Sequence, residues 1–249
     1  MARTVVLQSH TDPLPYDWLA PCIASVERWS KSNAFEYRFI GDELFDYLPA
    51  CLAGKTIRHP VIASDLARLK LIQKFLRLGF DTVIWCDADF LIFNPENFVI
   101  PDESFALGRE VWIQSDRRDK RKLSAHIKVH NAFMMFQMDN SFLDFYTDSA
   151  ERLLTRIDGP MAPQFIGPKL LTAIHNVVQC PVLETAGMLS PLVMVDIEQS
   201  GGPALDLFRA KSAQTIAAAN LCASLFANGE LSAGTLDACI NHLLHNGAV

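Results

Sequence analysis

The sequence lacks the cysteine pairs that typify a metal or redox site. Its 249 residues include 6 cysteines, and no two of them form a C-x-x-C pair. Such pairs are typical of zinc sites and of thioredoxin-like motifs. We therefore expect reduced thiols among apolar neighbours, with neither a zinc site nor a disulfide framework.

Long apolar runs are also missing. No stretch approaches the ~18–20 apolar residues that cross a bilayer, so we expect no transmembrane segment. The first ten residues, MARTVVLQSH, contain too short an apolar run for a signal peptide and are typical of a first strand. These features predict a cytoplasmic protein.

Positive charge is scarce as well. The formal net charge is −6, which gives no support to a polyanion-binding surface, so we expect no nucleic-acid partner. The one dense basic run, residues 117–122 (RRDKRK), contains an aspartate. It is typical of a solvated loop.

The hydrophobic pattern predicts an α/β protein. Half of the residues are hydrophobic, enough for a single domain over residues 1–249. Apolar periodicity predicts helices at residues 17–33, 61–78, 141–157 and 235–244, and a further helix after residue 167. It predicts strands at residues 5–8, 35–40, 82–85 and 131–138, and two short strands at 104–110 and 111–116. Helices and strands alternate early and strands dominate the middle, which favours a mixed central sheet flanked by helices.

Two charged residues of the helix at residues 61–78 lie on its apolar face. At 100° per residue, Lys70, Lys74 and Arg77 share the solvent stripe. Asp65 and Arg68 lie on the opposite, apolar face as i, i+3 neighbours. They form either a structural ion pair or part of a polar cleft, and a buried ion pair alone contributes little to stability.

The strand that follows ends in the sequence VIWCDAD, residues 83–89. Alternate residues of a strand point the same way, so Asp87 and Asp89 would emerge together. Ligands of open α/β sheets bind beyond the carboxyl ends of the strands. Two carboxylates there would suit a hard divalent cation, Mn²⁺ or Mg²⁺, with positions left for substrate phosphates. The alternative is a pair of turn aspartates that accept from backbone N–H groups.

The segment ASDLARLKLIQKFLRLGFDTVIWCDADF resembles the core of GT-A glycosyltransferases, in particular glycosyltransferase family 32 and the related glucosylating-toxin domains. Their signature is S-D-x-x-R, an apolar helix, a glycine, a strand and D-x-D. Three later segments, VHNAFMMFQMDNSFLDFY, FIGPKLLT and AANLCASLF, resemble further elements of that family. The resemblance spans residues 5–226. It implies a GT-A fold and a metal-dependent transfer of sugar from a nucleotide-diphospho-sugar, with a UDP-sugar favoured and anomeric configuration retained.

The resemblance also implies roles for individual residues. Asp87 and Asp89 would contact the metal and the nucleotide. Asp65 and Arg68 would contact the donor sugar or its ribose and phosphates, and Asn131 would lie near the donor. We predict Asp65, Arg68 and Asn131 as the catalytic group. The acceptor stays open between a saccharide, a lipid-linked sugar and a protein.

Four more positions follow from the same resemblance. His10 lies where such enzymes hold the base, and Ser224 would contact the leaving diphosphate. Asn220 replaces a histidine of the relatives, and its amide oxygen would serve as a metal ligand. Phe226 replaces a tryptophan near the diphosphate; it keeps the apolar wall and loses the indole N–H donor.

Three other interpretations compete with the transferase. A D-x-D-x-T phosphatase would need a threonine two residues after Asp89, where the sequence has Leu91, and its motif normally follows the first strand. A non-catalytic protein that binds a nucleotide-sugar is favoured by Asn220. A zinc pair at His126 and His130 has i, i+4 spacing, but the segment is typical of a loop and a strand.

Overall fold

The computed structural model of the protein describes residues 2–56 and 58–249, which form helices packed around two sheets. The strands are β1 (Thr4–Ser9), β2 (Glu36–Ile40), β3 (Thr82–Cys86), β4 (Phe90–Ile92), β5 (Phe105–Ser115), β6 (Leu123–Gln137), β7 (Val182–Leu183), β8 (Ala186–Met188) and β9 (Ala218–Asn220). The α-helices are α1 (Leu19–Ser32), α2 (Ala50–Thr56), α3 (Pro60–Arg77), α4 (Ser141–Arg156), α5 (Pro168–Val178), α6 (Pro191–Glu198), α7 (Pro203–Lys211), α8 (Ala223–Ala227) and α9 (Ala233–Asn246). A 3-10 helix covers Asp42–Tyr47.

The larger sheet is mixed. Its strand order is β2-β1-β3-β6-β5-β7; β2, β1 and β3 run parallel, whereas β6 is antiparallel to both β3 and β5. A second sheet has the order β4-β9-β8. The predicted fold class, α/β with a mixed central sheet flanked by helices, is confirmed, although the second sheet was not predicted.

The side chains of the larger sheet alternate between two apolar cores, as the period of a strand requires. On β3, Val83 and Trp85 face the core formed with α3, α4 and α5. Ile84 and Cys86 face the opposite core, which includes Trp29 of α1. A third core joins the α6, α7 and α9 region to the distal half of β5. The two faces of β3 are therefore both covered, and its carboxyl end is the part left to face a cavity.

Helix α3, predicted at residues 61–78, spans Pro60–Arg77 and begins with a proline that the prediction left out. Pro60 occupies the first helical turn, where its missing N–H costs no hydrogen bond. The helix stops ahead of Gly79, which has φ +88°, a conformation that favours glycine. Val61, which the helical spacing places on the buried face, is instead 46% exposed. It borders the two cavities described below, so the apolar face of the helix is open at its first turn.

The two short strands predicted at residues 104–110 and 111–116 are one strand, β5. It pairs with β6, which extends eight residues ahead of the predicted start at residue 131. Together they form a long hairpin, and the basic run at residues 117–122 lies at its turn, where the sequence predicts a loop. The β6 extension, LSAHIKVH at residues 123–130, alternates apolar and polar residues as a strand does. The signal for the hairpin was therefore in the sequence, and reading this segment as a loop was wrong.

Within residues 2–56 and 58–249, no helix combines the length and the low polarity needed to cross a bilayer. The cysteines are free thiols, and Cys51 is exposed.

Candidate active site

Three parallel strands end at the same edge of the larger sheet and open onto a cavity of about 400 Å³. His10 follows β1, Asp42 follows β2, and Asp87 follows β3. All three line this cavity, together with apolar side chains that include Leu44 and Phe45. We call it the strand-end cavity. Its position matches the rule that ligands of open α/β sheets bind beyond the carboxyl ends of the strands.

A second cavity, of about 410 Å³, lies next to the first. Its wall includes Glu110 and Trp112 of the β5–β6 hairpin, and we call it the hairpin cavity. Four residues line both cavities: Val61, Arg68, Asp87 and Asp89. The D-x-D motif and the arginine of α3 therefore stand at the boundary between the two spaces.

Asp87 is held by an arginine, an indole and a backbone contact. Its Oδ1 accepts from Arg68 Nη1 at 2.8 Å and from Trp85 Nε1 at 2.7 Å. Its carbonyl accepts from Gln8 Nε2 at 3.0 Å. The side chain stays 25% exposed, so the carboxylate reaches the cavities while its position is fixed.

The two aspartates border one site, but not through strand alternation as predicted. Strand β3 ends at Cys86, and the chain then turns, with Phe90 N donating to the Asp87 carbonyl at 3.0 Å. The carboxylates of Asp87 and Asp89 accept hydrogen bonds from Arg68, Trp85, Asn220 and the first residue of α8. The alternative of aspartates that serve only their own turn does not describe these contacts.

Asp65 and Arg68 of α3 are both buried, at 3% and 7% exposure. The guanidinium also donates to the Asn131 carbonyl at 3.1 Å, and it lies 5.0 Å from the centre of the Trp85 ring. Its Nη2 is 3.4 Å from Asp65 Oδ1. The pair predicted from the helix is thus part of a larger network that places one cation between two carboxylates.

One of the two carboxylate oxygens of Asp65 forms no hydrogen bond with the described residues. Its Oδ1 accepts from Asn131 Nδ2 at 2.7 Å, whereas its buried Oδ2 has no hydrogen-bond partner among the described residues. Burial raises the pKa of Asp65 to about 6, against the opposing effects of Arg68 and Asn131. A Cβ on Gly167 would lie 2.5 Å from that free oxygen, so only glycine lets the chain ahead of α5 pass there.

A bulge in β6 brings Asn131 to Asp65. The pairing of β5 with β6 jumps from Leu107–Met134 to Gly108–His130, which leaves residues 131–133 without a partner on β5. The His130 ring fixes the bulge, since Nδ1 accepts from Ala132 N at 3.1 Å and Nε2 lies 3.2 Å from the Ala186 carbonyl. A Cβ on Gly108 would approach that ring to 2.1 Å, so the glycine makes room for it.

The same contacts bear on the zinc alternative. Both ring nitrogens of His130 are engaged by the backbone, and the ring is fully buried. Burial lowers the pKa of His130 to about 4. Within the described part of the chain no group of three or more His, Cys, Asp or Glu could hold a metal ion. His130 is therefore a structural residue of the bulge rather than half of a zinc pair with His126.

Asp89 has neutral partners. Its Oδ1 accepts from Asn220 Nδ2 at 2.6 Å, and its Oδ2 accepts from Ala223 N at 2.6 Å. It is 8% exposed, and no cation among the described residues forms a salt bridge with it. Burial, followed by the charge of Asp87, raises the pKa of Asp89 to about 6.

The amide of Asn220 is oriented by its neighbours. Its oxygen accepts from Cys222 N at 2.9 Å while its nitrogen donates to Asp89. Turning the amide over would set two donors against each other and an oxygen against a carboxylate. Asn220 thus supports Asp89 through its nitrogen, and its role as a metal ligand stays a prediction.

The two aspartates themselves fit a divalent cation. They are oxygen donors at the border of both cavities, and Mg²⁺ is commonly bound by one or two carboxylates together with substrate phosphates. Asp89 adds a buried negative charge that the described residues leave without a counter-charge. The donor set is incomplete without oxygens from a ligand.

The remaining predicted positions divide between the cavities and a nearby core. His10 lines the strand-end cavity and Ser224 lines the hairpin cavity. Phe226 lines neither; it packs edge-on against Tyr16, with ring centres 4.7 Å apart, and against Trp18. Trp85 was not predicted as a site residue, although its place in VIWCDAD, two residues before Asp87, was the signal available.

No family model and no curated protein matches this chain. Several solved structures do match it. A glycosyltransferase involved in the glycosylation of the major capsid of PBCV-1 superposes with a TM-score of 0.48 at 10% identity, over 96% of this chain and 98% of that one. The galactosyltransferase LgtC, in complex with donor and acceptor sugar analogs, superposes with a TM-score of 0.40 at 12% identity, over 88% and 87%. The chain is thus similar to glycosyltransferases of known structure, at values that establish no activity for it.

Proposed function

We propose that this protein is a GT-A-type glycosyltransferase that takes a sugar from a nucleotide-diphospho-sugar. The observation that carries the proposal is the pair of adjoining cavities with Asp87 and Asp89 at their boundary. A nucleotide-sugar has a base and ribose at one end, a sugar at the other and a diphosphate between them. Two spaces separated by a site for a cation suit that shape.

The strand-end cavity suits the nucleoside. Leu44 and Phe45 provide apolar walls for a base, and Asp42 and His10 provide polar groups. His10 Nδ1 is buried and has no partner among the described residues. A hydrogen bond from a bound base or ribose would recover the free energy that an unpaired buried group costs.

The hairpin cavity suits the donor sugar. Asp65, Arg68 and Asn131 line it, and Asp65 Oδ2 is the unpaired acceptor of the group. A sugar hydroxyl that donates to this oxygen would satisfy it. Arg68, fixed by Asp65 and Asp87, holds both carboxylates in place and keeps a positive charge beside the reacting bond.

Asp87 and Asp89 would hold Mn²⁺ or Mg²⁺. Bound there, the cation would offset the negative charge that develops on the departing diphosphate. Ser224, on the wall of the hairpin cavity, would donate its hydroxyl to that diphosphate. A UDP-sugar as donor and retention of configuration belong to the proposal through the family resemblance.

Asp89→Ala tests the role of the metal site. We expect donor turnover to fall by about 10²-fold or more, because charge stabilisation at a departing group is commonly worth that much. The measurement is nucleotide release from a panel of UDP- and GDP-sugars with MnCl₂, with circular dichroism to confirm folding. Asp102→Ala, at an exposed loop position, is the matched control. Full activity of a folded Asp89→Ala protein would refute the metal role.

A second candidate is a nucleotide-sugar-binding protein without turnover. The orientation of Asn220 favours it, because both Asp89 oxygens are already paired within the protein. Thermal shift separates the two candidates. A melting temperature raised by UDP or GDP with Mn²⁺, with no release of nucleotide from any sugar of the panel, would support the binder. No shift with any nucleotide would exclude both.

A further inference from the structure

The distal half of the β5–β6 hairpin has one face in a core and one face on the hairpin cavity. Val111 and Ile113 pack into the core of the α6, α7 and α9 region. Because strand residues alternate, Glu110, Trp112 and Gln114 lie on the other face. These three residues, which we call the hairpin row, all line the hairpin cavity.

The opposing strand extends this surface. Across the ladder, Lys128 stands opposite Glu110 and His126 stands opposite Trp112. Lys128 Nζ is 3.5 Å from Glu110 Oε1, and Gln114 Nε2 is 3.2 Å from His126 Nε2. The surface therefore consists of one large aromatic ring with hydrogen-bonding groups on both sides of it.

The donor leaves the hairpin row unused. The groups assigned to the sugar and diphosphate come from α3, the turn after β3, the β6 bulge and α8, whereas the row is on β5. A transferase needs a second substrate beside the sugar, and the hairpin cavity is the space that reaches both the donor groups and the row.

We propose that the hairpin row is the acceptor subsite and that it binds a saccharide, a proposal that rests on the proposed glycosyltransferase. The indole of Trp112 presents a face of negative potential, which attracts the C–H groups on the apolar face of a pyranose. Glu110 accepts from ring hydroxyls, and Gln114 both donates and accepts. Alternating polar and aromatic groups suit a sugar ring, which has an apolar face and a polar edge.

The size and shape of the space favour a saccharide over a protein acceptor. A cavity of about 410 Å³ falls in the range typical of small-molecule sites. The three residues of the row lie on one face of β5, and all of them line this space.

The test measures saccharide binding directly, without turnover. Saturation-transfer difference NMR is recorded on the full-length protein with methyl glycosides and with lactose, maltose and cellobiose. We expect saturation of ring protons of at least one saccharide, and a loss of affinity of tenfold or more in Trp112→Leu. Trp112→Phe should keep most of the binding, which separates stacking from a folding defect. Ile127→Ala, on the exposed part of the same hairpin, is the matched control.

The outcomes separate this proposal from the proposed function. Nucleotide that raises the melting temperature, with no saccharide bound by the wild type, overturns the acceptor subsite and leaves the transferase standing. Saccharide binding that is equal in wild type and Trp112→Leu also overturns it, as does transfer to added protein with none to saccharides. Saccharide bound at Trp112 with no response to any nucleotide would refute the proposed function, and the row would then be a saccharide site but not an acceptor subsite.

Discussion

Asp87 and Asp89 are two residues apart and border the same cavities, yet the protein surrounds them differently. Asp87 has a full positive charge beside it, with Arg68 Nη1 at 2.8 Å, and its side chain is 25% exposed. Asp89 is more deeply buried and accepts only from the neutral groups Asn220 Nδ2 and Ala223 N among the contacts of the described residues. Asp87 thus has a charged partner, whereas Asp89 has only neutral partners.

This contrast indicates which aspartate needs something from outside. A buried charge without a counter-charge is costly, and the raised pKa of Asp89 reflects that cost. A divalent cation brought with a diphosphate would supply the missing positive charge. Asp87 already has Arg68 as a counter-charge, so under the proposed function it would orient the site as well as bind the cation. Substitutions of Arg68, the partner of Asp87, and of Asp89 itself can separate the roles of the two aspartates.

Arg68→Met should produce the largest loss of stability. It removes the cation shared by Asp65 and Asp87 and leaves two carboxylates without their partner. Breaking a buried ion pair from one side typically costs about 3–5 kcal/mol. Urea unfolding monitored by circular dichroism measures the free energy of unfolding.

Two further variants set the scale for this result. Arg77→Met, at an exposed position of the same helix, should change the free energy of unfolding by no more than about 0.5 kcal/mol. Asp89→Ala should cost less than Arg68→Met, about 1–3 kcal/mol, because it leaves two neutral donors unpaired but no charge. An equal loss for Arg68→Met and Asp89→Ala would contradict the contrast between the two aspartates.

Local patterns in the sequence predicted the frame of the site. The helical spacing placed Asp65 and Arg68 on the buried face of α3, where both lie. The apolar run before Asp87 predicted β3, whose end opens onto the strand-end cavity. These features depend on a few neighbouring residues, and periodicity reports such neighbours well.

Contacts between distant segments could not be predicted in this way. Asn220 and Ala223 reach Asp89 across more than 130 residues, and no local spacing shows which amide atom faces the carboxylate. The bulge that carries Asn131 depends on Gly108 and on the His130 ring, a fit between two strands. Phe226 lies in an aromatic cluster rather than on a cavity wall, because Tyr16 and Trp18 of the N-terminal segment pack against it.

The second prediction concerns the bulge that carries Asn131. The free energy of unfolding should depend on pH through His130, whose ring fixes the bulge. The pKa of His130 falls from its ordinary 6.5 to about 4 on folding, so between these pH values the unfolded chain binds a proton that the folded protein does not. The contribution of His130 is therefore fully present above about pH 6.5 and is lost as the pH falls toward about 4. A shift of this size corresponds to on the order of 3 kcal/mol.

The measurement compares wild type with His130→Gln. Asp65 and Asp89 have raised pKa values and contribute with the opposite sign, so that the wild-type curve alone mixes the effects. The difference in unfolding free energy between wild type and variant should shrink as the pH falls through this window. A difference that stays constant with pH would show that His130 titrates normally in the folded protein.

The smallest change in the free energy of unfolding is expected for Asn220→Asp, next to Asp89. The change replaces the NH₂ group 2.6 Å from Asp89 Oδ1 with a carboxylate oxygen, so the pair would repel without a cation. Two adjacent carboxyls limit their repulsion by sharing a proton, so we expect the unfolding free energy in EDTA to fall by roughly 1–2 kcal/mol, the scale of a lost buried hydrogen bond. Added MnCl₂ should restore it, because a ligand that binds only the folded state stabilises that state. Asn241→Asp, on the exposed face of α9, should show neither response. If Mn²⁺ raised the melting temperature of Asn220→Asp no more than that of Asn241→Asp, then Asp89 would lie outside the cation site, and its buried charge would serve only to hold Ala223 at the start of α8.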